Sequence, residues 1–300
     1  MNFFNLLRLL RSLPDTGRRV ELLQQSMGHV QQAIGRIEER QLRNVKSPEF
    51  SDYEFKVHSQ WGEDGIIQFL IRSVPIARPI FIEFGVQDYT EANTRFLLTN
   101  NNWSGLILDG SDDAIASIQR DPIYWRYNLK AAQAFVTREN VNSLIESHGL
   151  SGEIGLLSVD IDGVDYFVWE AITVVQPALV IAEYNARFGP ERAVTVPYDA
   201  AFQRGKAHHS NIYYGASLAA LVGLGKRKGY AFVGANSAGN NAFFVRRDLR
   251  PADMRERTAR DGFVACKFRE ARDENGRLTF LDSAQEKALL AGLSLVEVEP

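Results

Sequence analysis

The 300 residues are 45% hydrophobic and 24% charged, enough apolar mass to bury a full core as one large domain plus an appendage and too much for disorder. A net charge of -3 gives no domain-wide basic surface, and nucleic acid is not expected as a partner. The lone Cys266 excludes an intrachain disulfide framework and a multi-cysteine metal site, in keeping with a reducing cytoplasm.

The first thirteen residues, MNFFNLLRLLRSL, are too short to cross a bilayer and lack a small-residue cleavage site, so no signal peptide is expected. Their Phe and Leu residues beside Arg8 and Arg11 favour burial within an oligomer, with a weak contact with an anionic membrane surface as the alternative; the expected location is cytoplasmic, at most peripheral to the inner face of the membrane. After Pro14, Val20, Leu23, Met27, Val30, Ile34 and Ile37 alternate in spacings of three and four, a heptad seam. The pattern predicts a helical arm over residues 1–45. Its coiled coil, over residues 15–40, joins copies of the chain into a homo-oligomer; packing against the body is the alternative. Residues 46–57 break the heptad and read as a linker, and 58–300 form the main domain.

That domain alternates strand and helix. SQWGEDGIIQFLIRSV reads as a helix, FIEFG as a first strand, residues 90–100 as a helix, GLILDG as a second strand and 112–120 as a helix. AQAFV is a third strand, followed by a helix with Thr137 as N-cap that closes on Gly149. IGLLSVDID and ALVIAEYN are the fourth and fifth strands. Their nearly continuous apolar runs suit parallel strands covered on both faces. A helix at 216–228 leads into GYAFVGANSAGNNAFFVRR, two strands joined by a Gly/Asn/Ser turn, so the last strand runs antiparallel. The expected fold is α/β: a Rossmann-like, seven-stranded, mostly parallel sheet with an antiparallel last strand and helices on both faces.

Glu83 and Gly85 end the first strand and Asp109 ends the second. A glycine turn there lets backbone approach a ligand, and an acid at the second tip can hydrogen-bond a ribose diol. The loop lacks the GxGxxG pyrophosphate fingerprint, which favours a nucleoside cofactor without a diphosphate, such as S-adenosyl-L-methionine. Gln60, Glu63 and Asp64, just before the first strand, can close over the cofactor's amino-acid end; exposed helix-start acids are the equal alternative for Glu63 and Asp64. Asn93 and Thr94 can face the cofactor or cover its exposed side. Ser111 can touch adenine or cap the next helix. The tail beyond Arg250 offers packing rather than chemistry.

The element order, Glu83-Phe-Gly85, Asp109 and the terminal hairpin together resemble the class I S-adenosylmethionine-dependent methyltransferases, over roughly residues 57–248. The tips of strands four and five, SVDIDGVD and AEYN, gather carboxylates whose mutual repulsion a hard divalent cation such as Mg²⁺ would relieve. Their placement is similar to that in metal-dependent O-methyltransferases of the catechol type. By position, that resemblance implies Asp160, Glu183 and Asn185 as metal ligands, with Asp162 as the alternate. Two departures stand out: the strand-five pair is Glu-Tyr-Asn, and no lysine follows Asp160 to act as base. The competing reading of DIDGVD is a strand-to-helix loop whose Asp residues cap the next helix. Asp160, His208 and His209 are the candidate catalytic groups, the histidines because they follow a long polar insertion after strand five; an exposed loop pair is the equal reading of the two histidines. The resulting expectation is an O-methyltransferase that uses a divalent metal and acts on a hydroxyl of a small molecule or glycan. An NAD-type oxidoreductase and a non-catalytic coiled-coil scaffold are the alternatives.

Overall fold

The computed structural model describes residues 3–300, with side chains from Thr16 onward except that of Glu21. The membrane contact expected of residues 1–13 rests on side chains outside those described. Helix α1 (Phe3–Leu42) is followed by a short 3₁₀ turn at Phe50–Tyr53 and helix α2 (Glu63–Ser73). Then come β1 (Ile80–Phe84), β2 (Ser104–Asp109), β3 (Leu129–Gln133), β4 (Gly152–Val159) and β5 (Val175–Glu183). β6 (Val194–Thr195), β7 (Tyr230–Ala235), β8 (Asn241–Arg246) and β9 (Val296–Glu297) complete the strands. Seven of them form one sheet in the order β3-β2-β1-β4-β5-β8-β7, while β6 pairs with β9.

β1 to β5 are parallel, and β8 runs antiparallel between β5 and β7. The Gly/Asn/Ser turn dictates this finish, because a six-residue strand followed at once by another can only return beside its predecessor. The sheet is buried on both faces, as its apolar runs require. Ile82, Leu106, Leu157 and Val180 enter one core, while Phe81, Ile107, Leu156 and Leu179 enter the other. This two-residue alternation continues to the strand ends, so Glu83, Asp109, Ser158 and Glu183 share the face of the second core.

Several local expectations change. The helix expected at 90–100 starts only at Arg95, because residues 86–94 form a loop in which Gln87 and Tyr89 take positive φ. The third strand lies at Leu129–Gln133 instead of 132–136, and the next helix begins at Val141 with Asn140, not Thr137, at its N-cap. Glu63 and Asp64 are buried rather than exposed. Residues 46–57 lie against the body: Phe50, Tyr53 and Val57 are buried, and Tyr53 stacks on Phe69 with ring centroids 3.9 Å apart.

Candidate functional site

The carboxyl ends of β2, β1, β4 and β5, with the start of β8, line a two-lobed cavity. Neighbouring strands lie about 4.8 Å apart, so these five tips span roughly 19 Å. The lobes, of about 270 and 180 Å³, share Gly85, Gln87, Asp160 and Asp162. Gly85 sits where the two meet. At φ +75°, a Cβ on it would lie 1.7 Å from the Asp160 carbonyl oxygen, so only glycine lets the β1 loop pass this close to β4.

The smaller lobe is an apolar slot between Leu108, Phe135, Val136, Ile161 and Phe202, with Asp109 at its edge. One Asp109 oxygen accepts the Gln87 N–H (2.7 Å) and the other the Ser111 N–H (2.8 Å). Each oxygen keeps a lone pair, the number a vicinal diol needs. The Ser111 hydroxyl accepts from the Ala114 N–H as a helix cap and lines neither lobe, because the cap geometry turns it away from the slot.

Two buried acids build the walls of the larger lobe rather than its chemistry. Glu83 accepts the Asn93 N–H (2.8 Å), the Thr94 N–H (3.1 Å) and the Thr94 hydroxyl, which moors the 86–94 loop. Burial pushes its pKa up to about 7. Asp64 accepts the N–H groups of Val57, His58 and Ser59 at 2.7 to 2.8 Å and so fixes the turn carrying Gln60 to the rim. Asn93 lines the lobe and donates to the Ser158 hydroxyl; Thr94 is wholly buried beneath it, bonded to Tyr89.

At the far end, Asp160, Asp162 and Glu183 bring ligand-capable oxygens within 4.8 Å of one another. Burial, then the neighbouring carboxylates, raise the affinity of Asp160 and Glu183 for a proton well above the ordinary carboxylate range. Glu183 is buried and its Oε2 has no hydrogen-bond partner. Asp165 faces elsewhere: it accepts the Ile161 and Gly163 N–H groups at 2.7 and 3.0 Å and so ties the loop together, but it does not cap the next helix, whose N-cap is Val164 with no side-chain cap bond.

Asn185 is committed differently. Its amide donates to the Ile212 and Tyr214 carbonyls (2.9 and 3.0 Å) and accepts the Arg187 N–H, because the chain leaves β5 into a 3₁₀ turn that ends the strand alternation. It lines neither lobe. His208 and His209 also lie outside both. Their ring centroids lie 4.2 Å apart with the planes tilted by 35°, and His208 Nδ1 bonds the Ser210 hydroxyl; burial, then His209, lowers the His208 pKa.

Sequence reasoning missed Arg204 and the tail. Arg204 reaches Asp162 (2.5 Å) and Glu270 (2.6 Å) and lies over the Tyr214 ring at 3.7 Å. Glu270 and Phe268 line the larger lobe, so the tail contributes to the site as well as packing. Glu270 also pairs with buried Arg187, which holds Glu286 in turn. Asn240 and Asn241 reach the lobe from the hairpin turn. For Arg204 and Glu270 the available signal was charge, an arginine in the polar insertion and acids in the tail, partners separated by more than sixty residues.

No protein-family model matches the chain, and no curated protein matches it by sequence. Among solved structures, the N-terminal domain of EvdMO1 with SAH bound aligns at 11% identity over 61% of this chain and 79% of that one, with a TM-score of 0.40. A CurJ carbon methyltransferase aligns at 9% identity over 67% and 57%, TM-score 0.41. An S-adenosylmethionine-dependent methyltransferase from Clostridium acetobutylicum aligns at 12% over 56% and 63%, TM-score 0.31. The strand order, with its antiparallel finish, gives the Rossmann-like, mostly parallel seven-stranded sheet expected from the sequence. No helix among the described residues is long and apolar enough to cross a membrane.

Proposed function

We propose that the protein transfers a methyl group from S-adenosyl-L-methionine to a hydroxyl oxygen. The observation that carries this reading is the pairing of the two lobes: an apolar slot edged by Asp109, and beside it a lobe in which Asp160, Asp162 and Glu183 bring their oxygens within 4.8 Å of one another. Adenine would lie between Phe135, Val136 and Ile161, the ribose diol on Asp109, and the amino-acid end beneath Gln60 and the 86–94 loop. The sulfonium then faces Asp160 and Glu183. The acceptor oxygen attacks the methyl carbon, the carbon–sulfur bond breaks with its electron pair retained on sulfur, and the hydroxyl proton passes to Glu183. Positioning supplies most of the rate, and a base with raised pKa at the acceptor removes a proton that would otherwise stay on the product oxygen.

Asp160, Asp162 and Glu183 fit a hard divalent cation such as Mg²⁺. They are all-oxygen donors crowded within 4.8 Å of one another, and Arg204 is the one cation that lines the lobe beside them among the described residues. A bound cation would lower the pKa of the acceptor hydroxyl. Asn185 is spent on backbone groups and is no longer proposed as a ligand.

Three measurements test the reading. S-adenosylhomocysteine should bind by calorimetry while NADH does not, and label should pass from the methyl-labelled cofactor to an acceptor oxygen. Mg²⁺ should raise the melting temperature of the wild type but not of Asp160→Asn. Binding of NADH in preference to S-adenosylhomocysteine would favour the oxidoreductase, and binding of neither would favour a non-catalytic scaffold.

We also propose self-association through α1. Its seam residues Val20, Leu23, Met27, Val30, Ile34 and Ile37 are between 47% and 71% exposed. The side of α1 that meets the body is a different one, carrying Gly35 and Leu42, with Gln31 bonded to the Val57 carbonyl. The seam is one residue, about 100°, round the helix from it. A second copy suits the 3.5-residue period, which keeps two supercoiled helices in contact along their length. Completing the burial of twelve half-exposed side chains contributes roughly 10–18 kcal/mol, against an association cost of about 4–15 kcal/mol.

A further inference from the structure

Resting on the methyltransferase reading, we propose that the acceptor end of the larger lobe takes a neutral, hydroxyl-rich ligand, a sugar ring, which it holds by accepting hydrogen bonds at Asn241 Oδ1 and Glu183 Oε2. These two atoms are the argument. Asn241 and Glu183 face each other across the β5–β8 pair, both are buried, and both line the lobe. Asn241 spends its amide N–H on Glu63 (2.8 Å), which orients its carbonyl oxygen and leaves that oxygen without a donor. Glu63 is itself fixed, accepting from Asn236 at 2.6 Å and from the Trp61 N–H at 2.9 Å, so the amide orientation is set by a buried network. Buried acceptors without donors are costly and rare, and two on adjacent strand tips facing one cavity mark the place of O–H or N–H donors from a ligand.

The rest of the lining narrows the class. Seven carboxyl side chains line the lobe, with Arg204 as the cation among them, and Arg204 already pairs with Asp162 and Glu270. Even with a divalent cation held by Asp160, Asp162 and Glu183 the carboxylates of the lining outnumber the positive charges, so an acceptor bearing a carboxylate or phosphate would meet net repulsion there. An aromatic diol fits no better, because the lobe has few apolar side chains to cover a ring on both faces: Phe84, Val86, Ala92 and Phe268. A sugar satisfies both conditions, since its hydroxyls donate to the orphaned acceptors and its one apolar face can rest on an aromatic edge. Phe268 offers that edge at the rim, backed by Trp61 stacked on it with centroids 5.2 Å apart and planes 15° from parallel.

The test is saturation-transfer NMR on the full chain with saturating S-adenosylhomocysteine. The probes are a panel of neutral methyl glycopyranosides, catechol, and methyl glucuronide. At least one neutral glycoside should bind, with millimolar or better affinity, and methyl glucuronide and catechol should bind at least tenfold more weakly. Asn241→Leu and Glu183→Met should each weaken the glycoside tenfold or more while leaving S-adenosylhomocysteine affinity within threefold. Glu183→Met removes a buried like charge and keeps side-chain length, so it guards against a folding failure in the Asn241 variant. Preference for catechol or the glucuronide, no glycoside binding while S-adenosylhomocysteine binds, or glycoside affinity unchanged in both variants would overturn the proposal. Loss of S-adenosylhomocysteine binding alone, with variant-sensitive glycoside binding intact, would instead overturn the cofactor reading.

Discussion

Replacing Asp109 with alanine separates what the carboxylate does for the fold from what it does for a ligand. In the folded chain its two oxygens hold the Gln87 and Ser111 N–H groups at 2.7 and 2.8 Å, tying the β1 loop to the β2 tip. Bonds to a charged group contribute about 1.5–3 kcal/mol each, but the freed N–H groups lie at a cavity edge where water can reach them. The net loss of stability is therefore expected to be about 2–3 kcal/mol. For a chain of this size that lowers the melting temperature by roughly 3–5 °C. If the remaining lone pairs hold a ribose diol, S-adenosylhomocysteine also loses about 1–3 kcal/mol, or roughly 5- to 150-fold in Kd. Scanning calorimetry reads the first effect, and titration calorimetry below the transition reads the second. A lowered melting temperature with unchanged Kd would make Asp109 a purely structural residue and remove the ribose contact from the mechanism.

Gly85→Ala adds a Cβ 1.7 Å from the Asp160 carbonyl at a left-handed φ, and should cost more than about 3 kcal/mol, read as a fall in the denaturant midpoint or loss of soluble protein; near wild-type stability would mean that the loops are less tightly opposed. Glu183→Gln should abolish methyl transfer yet raise the melting temperature at pH 8. The fold raises this carboxyl's pKa, so its stabilising contribution is complete below the unfolded value of about 4.3 and is lost as pH rises through the folded one. The gain should shrink as pH falls toward 4, and a lower melting temperature at pH 8 would contradict the crowding of like charges. Met27→Lys with Ile34→Lys should reduce the assembly to monomers in light scattering while S-adenosylhomocysteine binding persists; an unchanged mass would place the interface elsewhere.

Local chemistry alone determines much of this protein. Apolar runs of strand length, the Gly/Asn/Ser turn and the acids ending each run are read directly from the chain, because a two-residue period and a tight turn are properties of neighbouring residues. They were enough for the seven-stranded sheet, its antiparallel finish, and the places of Gly85, Asp109, Asp160 and Glu183. Tertiary structure decided the residues whose meaning depends on distant partners. Glu63 and Asp64 look like helix-start acids until Asn236, Asn241 and the 57–59 backbone are brought to them. Asn185 keeps its position beyond β5 but turns its amide to the 212–214 backbone. Arg204 acquires a role only because the tail carries Glu270 back across the sheet. A carboxylate or guanidinium is the same group wherever it occurs; burial and the partner supplied by remote chain decide whether it anchors a loop, balances a charge or faces a ligand.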